Sequence, residues 1–272
     1  MKKVLIGTLV RQKTTILKEY LESIAQLIQD TISIDYIFVE DNLEKNSTEM
    51  LIRFQQERPN CKILHYAFQD DPEFEYHKWS MYAILRIAEF KNRIIEMAVE
   101  QEYDYLFLVD SDTVLHPITV EHLISTKKDI VSEVHWTFIY NTLAPNAWLY
   151  DNFDFAYKNS KDEKITKAQQ FLRMFEFHHK LREPGLYPVG GVCDIILMSR
   201  KAMLAGVNFK DIYNVSFVGE SAHFAIRAAV LGFQIYIDTC CPAYHIFDEQ
   251  QLENVGSYKK QVINYEGLNH VF

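Results

Sequence analysis

The chain opens on a short apolar run, VLIGTLV (Val4 to Val10), of the kind that forms a strand buried on both faces. TTILKEYLESIAQLIQ follows, with apolar residues at three- and four-residue steps that predict a helix. IDYIFVEDN predicts a second strand ending in an acidic turn, and Cys61 to Tyr66 a third. HKWSMYAILRIAEFKNRIIEMAVEQ, with Trp79, Tyr82, Leu85, Ala88, Ile95 and Val99 in phase, predicts one long helix or two consecutive ones. YDYLFLVDSDTVLHP (Tyr103 to Pro117) returns to a strand, and DIVSEVHWTF (Asp129 to Phe138) predicts another. From about Asn141 to Leu186 the pattern breaks into aromatic and charged pieces, expected to be part helix and part flap over a site. YPVGGVCDIILMSRKAM predicts a strand then a helix, SAHFAIRAAVLGF a short helix closed by Gly232, and QIYIDTCCPAYHIF a last strand. Beyond Asp248 the residues are polar and expected to be loosely ordered. Strands alternating with helices imply an α/β fold with a mostly parallel sheet, whose ligands gather at the carboxyl ends of the strands.

Length and composition narrow the class. A chain of 272 residues, 48% hydrophobic and 24% charged, fits one large α/β domain and has none of the bias of disorder. Its formal charge of −9 argues against nucleic acid or an anionic membrane as partner, so an anionic ligand must meet a local positive site or a bound cation. Cys61, Cys193, Cys240 and Cys241 show no repeated C-x-x-C spacing and read as reduced thiols of a cytoplasmic protein. MKKVLIGTLVRQ reads as a first strand, with neither the length of a membrane span nor a signal-peptide cleavage site.

The chemistry is concentrated at Asp110-Ser111-Asp112. Alternate side chains of an extended backbone share a face, so the two aspartates converge while Ser111 points away. Two carboxylates at one spot repel unless a proton or cation lies between them. A hard divalent ion such as Mn²⁺ or Mg²⁺ suits oxygen ligands and bridges to phosphate oxygens.

Two families place Asp-x-Asp after an apolar strand. DSDTVL is similar to the D-x-D-x-T/V motif of haloacid-dehalogenase-like phosphatases, which would make Asp110 a nucleophile. Two or three strands and a long helix precede Asp110, however, and Phe224 stands where that family's later G-D-S-x-x-D segment has an acid. The second resemblance covers more of the chain. The blocks VLIGTLVRQ, DYIFVEDN, FKNRIIEMA, DYLFLVDSDTVLHP, GGVCDIILMSRKAM, GESAHFAIRAAVLGF and PAYH, from Val4 to Phe247, resemble family-2-like nucleotide-sugar glycosyltransferases.

The resemblance implies a GT-A-like single domain with a mixed, mostly parallel sheet flanked by helices. Residues 1–117 would form the nucleotide-sugar-binding half, 118–250 the acceptor-binding half and 251–272 a tail. It implies a nucleoside diphosphate sugar (UDP or GDP) as donor, contacted by Thr8, Val10, Arg11, Asp41, Lys91, Asn92 and Ser111, and a glycan, protein or small molecule as acceptor. Lys91 replaces the usual Arg, and no Gly follows it. A Mn²⁺ or Mg²⁺ ion would be held by Asp112 with Asp110 and the late His245. Ser221 stands where the family usually has Asp, so the base of an inverting displacement falls to Glu220, then to His223 one helical turn on, then to Asp194. His178 and His179 read as surface residues, and His116-Pro117 as turn chemistry. A phosphatase and a noncatalytic nucleotide-sugar-binding protein are the alternatives. A nucleotidyltransferase would need a Gly-rich, Arg-containing loop after the first strand, which GTLVRQKTT does not provide.

Overall fold

The computed structural model describes residues 1–65, 80–139, 142–216 and 219–263. Eight strands make one mixed sheet: β1 (Lys2–Val10), β2 (Ile32–Glu40), β3 (Cys61–His65), β4 (Tyr105–Val109), β5 (Ile130–Glu133), β6 (Leu186–Val189), β7 (Ile195–Ser199) and β8 (Ile235–Asp238). Their spatial order is β6-β8-β5-β7-β4-β1-β2-β3. β3, β2, β1 and β4 run parallel. β7 is antiparallel to both β4 and β5, β8 is parallel to β5, and β6 closes the edge antiparallel to β8. The described residues also form eight α-helices, α1 (Thr14–Ala25), α2 (Lys45–Glu57), α3 (Met81–Glu100), α4 (Thr119–Ser125), α5 (Lys167–Lys180), α6 (Arg200–Leu204), α7 (Glu220–Val230) and α8 (Leu252–Ile263), with three short two-stranded ribbons and a 3-10 turn at Glu249–Gln251.

Strand alternation sorts the core onto the two faces of the sheet. Leu5, Leu106, Leu108, Ile196 and Ile237 pack with α3, α6 and α7. Val4, Ile6, Phe38, Phe107, Val131 and Leu197 pack with α1, α2 and α4. Gly7 allows α3 to approach β1 closely, since a Cβ there would stand 2.7 Å from Ile94 Cγ2. At the start of α3 the Ser80 hydroxyl accepts the Ala83 amide at 3.2 Å, capping the helix.

The α/β class and the mostly parallel sheet are as the sequence implied, and several local expectations change. DIVSEVHWTF is two strands: β5 ends at Glu133, and Trp136–Ile139 leaves the sheet to pair with Thr142–Pro145. QIYIDTCCPAYHIF also divides, because after β8 the chain turns away and Tyr244–His245 pairs with Thr113–Val114. α2 was not foreseen; its buried contacts are few, Leu51 and Phe54 being the apolar ones. The residues after Asp248 form α8, with Val255 buried and Lys259 bound to Glu22 of α1 at 2.8 Å. His178 is buried beside Trp136 and Phe155, whereas His179 is exposed as expected. The third strand ends at His65 and the long helix begins at Met81, so Tyr66 and Trp79 lie outside the described residues. All four cysteines are free. Among the described residues no helix is long and apolar enough to cross a membrane.

Candidate active site

β1, β2 and β4 end side by side, and the candidate residues follow those ends. The Val10 carbonyl accepts the Asp41 amide at 2.9 Å, and Arg11 Nη1 donates to Asp41 Oδ2 at 3.0 Å. Burial pushes the Asp41 carboxyl up to about 6, against the pull of Arg11. Thr8 lies elsewhere: its hydroxyl is buried against the phenol of Tyr20 on α1.

Beyond β4 the chain turns through Asp110, Ser111 and Asp112. Ser111 and Asp112 are buried. Asp112 Oδ1 is shielded from solvent, makes no hydrogen bond, and lies 3.4 Å from His245 Nε2. The backbone builds this approach, since Thr113 pairs with His245 and the Ile246 amide donates to the Asp112 carbonyl at 2.8 Å. The other ring nitrogen of His245 is hydrogen-bonded to the Thr137 hydroxyl at 2.8 Å, which fixes the ring so that Nε2 faces Asp112. Burial opposes charge on His245, but the carboxylates of Asp112, Asp194 and Asp110 prevail and push its pKa up to about 9. An orphaned carboxylate oxygen facing an imidazole nitrogen is an oxygen and nitrogen donor set that fits a divalent ion.

β7 adds a further carboxylate because it runs antiparallel and starts opposite the end of β4, with Ile195 paired to Val109. Asp194 is thereby set beside Asp110, whose amide donates to the Asp194 carbonyl at 3.0 Å. Asp194 has φ +66°, a left-handed conformation costly for a side chain other than glycine and enriched at functional positions. Its Oδ2 lies 2.9 Å from His135 Nε2 and accepts the Cys193 thiol at 3.3 Å. Burial alone would raise the Asp194 pKa, but His135 by hydrogen bond and charge, with His245 and Lys91, holds it well below the usual range. The His135 ring lies 4.5 Å from that of His245 between centroids.

The remaining partners come from α3 and α7. Gly219, at φ +148°, lets the chain turn into α7 so that Glu220 is its first residue. Lys91 Nζ, buried on α3, donates to Glu220 Oε1 at 3.0 Å, and the Ser221 hydroxyl donates to the same oxygen at 3.1 Å. Burial pushes the Asp110 carboxyl well up; Lys91 opposes this, while Asp194, Asp112 and Glu220 reinforce it. Burial works against the charged form of Lys91, but Glu220 and Asp110 raise its pKa nonetheless. Asn92 faces away, its side-chain oxygen accepting the Phe209 amide at 2.7 Å. His223 is buried, and its Nδ1 accepts the Ile212 amide at 2.7 Å. Glu220 and His223 line a cavity of about 330 Å³ with Ile84, Leu85, Ala88 and Phe209.

The structure thus brings together Asp110, Asp112, Asp194, Glu220, Lys91 and His245, and sets Arg11 and Asp41 at the neighbouring strand ends. Thr8 and Asn92 are used in packing. His135 and Thr137 escaped the sequence reading. Their only signal was a histidine and a threonine two positions apart in VSEVHWTF.

No protein-family model and no curated protein matches the chain. Solved structures do match it, and they establish the GT-A glycosyltransferase fold. TarS of S. aureus, residues 1–349, superposes with a TM-score of 0.52 at 12% identity, over 96% of this chain and 64% of that one. A mannosyltransferase from Pyrobaculum calidifontis, in complex with GDP-Man and Mn²⁺, gives 0.50 at 11% identity, over 96% and 61%. GalNAc-T7 with UDP, GalNAc and Mn²⁺ gives 0.52 at 10% identity, over 90% and 44%. The chain spans less than two thirds of the length of each, and at these identities the likeness is one of fold. In this sheet Asp110 follows the fourth strand, whereas the phosphatase resemblance calls for a nucleophile after the first.

Replacing Lys91 with Met leaves Glu220 and Asp110 without their buried cation and is expected to cost about 3–5 kcal/mol of stability. The loss should shrink as the pH is lowered from neutral into the acid range, because protonation of Asp110, whose carboxyl burial already pushes well up, removes the uncompensated charge. Urea unfolding of wild type and variant across that range measures it.

Proposed function

We propose that this protein is a divalent-metal-dependent glycosyltransferase of family-2-like type, transferring a sugar from a nucleoside diphosphate sugar to an acceptor hydroxyl. The observation that supports the reading best is the orphaned Asp112 carboxylate facing His245 at the end of β4. Its setting in a GT-A fold adds weight, since two proteins of like fold hold Mn²⁺ with GDP-Man or with UDP and GalNAc.

In this reading Arg11 and Asp41 bind the base and ribose, with Val10 shaping the end of β1 and Ser111 the turn beneath the donor. Asp112 and His245, assisted by Asp110, hold Mn²⁺ or Mg²⁺. The ion, when bound, offsets the charge that develops on the leaving diphosphate. Lys91 and Asn92 support from behind: Lys91 keeps Glu220 oriented, and Asn92 ties α3 to the Phe209 loop. Glu220 is the base. The acceptor oxygen forms a bond to the anomeric carbon, the bond to the diphosphate oxygen breaks on the opposite side, and the acceptor proton passes to Glu220 in one inverting displacement. His223 shapes the acceptor cavity through its contact with Ile212. His135 holds Asp194 in place beside the reacting groups.

A thermal-shift screen of UDP-, GDP-, CDP- and dTDP-sugars with and without Mn²⁺ tests the donor site. One nucleotide should raise the melting point only with Mn²⁺, by an amount equivalent to about 2.7 kcal/mol at a hundred times Kd, and Asp112→Ala should abolish the shift. No shift with any nucleotide would overturn the reading. In the donor's presence Glu220→Gln should retain the shift and lower kcat by about 10²–10⁴ against the acceptor or water. A protein that only binds nucleotide sugars would give the same shift in wild type with no turnover.

A further inference from the structure

A second group of ligating side chains lies outside this site, on the face of the sheet covered by α4. There Asp238, the last residue of β8, places Oδ1 3.0 Å from His122 Nε2 on α4 and accepts the Cys240 amide at 2.8 Å. One donor atom from each of His122, Asp238 and Cys240 falls within a set no more than 4.8 Å apart. His122 is 7% and Asp238 2% exposed, and Cys240 is half-buried. A histidine bonded to an aspartate is an ordinary structural contact, so the decisive residue is a fourth one, Glu133.

Glu133 ends β5 in register with Asp238 on the neighbouring parallel strand, so the two side chains leave the sheet on one face. It is fully buried, and neither oxygen of its carboxylate has a hydrogen bond of good geometry, although the Val134 and Cys241 amides face it. Among the described residues no lysine or arginine pairs with Glu133 or Asp238. Two buried carboxylates side by side call for a proton or a cation between them. The available donors are an imidazole nitrogen, carboxylate oxygens and a thiol sulfur. That mixture suits zinc or a similar borderline ion, unlike the harder oxygen-rich set around Asp112.

We propose that His122, Asp238 and Cys240, with Glu133 beside them, form a zinc-type site separate from the candidate active site. Its position gives it a structural consequence. Residues 239–243 link β8 to the Tyr244–His245 strand, and the Ala243 amide donates to the Val134 carbonyl at 2.9 Å. An ion at Asp238 and Cys240 pins the start of this link and so steadies the segment that delivers His245.

Cobalt serves as the spectroscopic probe. Chelator-treated full-length protein titrated with Co²⁺ should develop a sulfur-to-cobalt charge-transfer band and the strong visible bands of a four-coordinate ion, both removed by competing Zn²⁺. The charge-transfer band should persist in Asp112→Ala and vanish in Cys240→Ser, with the visible bands weakened in His122→Ala. Absence of a thiolate band in the wild-type protein would overturn the proposal whatever the variants do. So would survival of that band in a Cys240→Ser protein whose far-ultraviolet circular dichroism is unchanged.

Discussion

Acidic groups gather in one buried place, and the rest of the site answers to that. Asp110, Asp112, Asp194 and Glu220 lie close enough to shift one another's ionisation or that of Lys91 and His245. Such a group is stable only if cations are built around it or brought to it. The fold supplies Lys91 from α3, seated against β1 through Gly7, and His245 from the segment that follows β8, with the His135 ring tilted beside it. What it leaves without a hydrogen bond is the Asp112 oxygen facing His245. A protein of net charge −9 thereby holds a position where a divalent ion and an anionic ligand can meet.

The sheet explains how residues far apart in sequence reach this place. Parallel β1, β2 and β4 present their carboxyl ends together, which is where ligands of such sheets collect. The reversed direction of β7 brings its beginning to the same edge, so Asp194 stands next to Asp110 without any long loop. The small ribbon between Thr113–Val114 and Tyr244–His245 then fixes the distance between Asp112 and His245 by backbone hydrogen bonds. α7 adds Glu220 at its first turn, held by Lys91 and Ser221.

Much of this was legible in the sequence. An apolar strand running into Asp-Ser-Asp located the turn, and the alternation of strands and helices implied the class of sheet. Side-chain direction was harder to read. Thr8 belongs to the set Val4, Ile6 and Val10, which alternation turns toward α1, so its hydroxyl meets Tyr20. Asn92 adjoins Lys91 on α3, but successive helical residues point in different directions, and Asn92 reaches Phe209. His135 and Thr137 could not be assigned because their role depends on β5 ending at Glu133 and the chain peeling off the sheet, a break that nothing in VSEVHWTF marks. α2 escaped for the opposite reason, since it buries too few apolar residues to announce its period.

The most direct test of the central idea, that the Asp112 and His245 pair is a divalent-cation site completed by a nucleoside diphosphate, is electron paramagnetic resonance of Mn²⁺. Titrating the protein into Mn²⁺ with and without UDP or GDP follows loss of the free-ion signal. The account expects the signal to disappear into a bound species whose affinity rises when one of the diphosphates is present, and to remain free in a His245→Ala protein. Mn²⁺ that stays free under all these conditions, or binds equally well without His245, would contradict it.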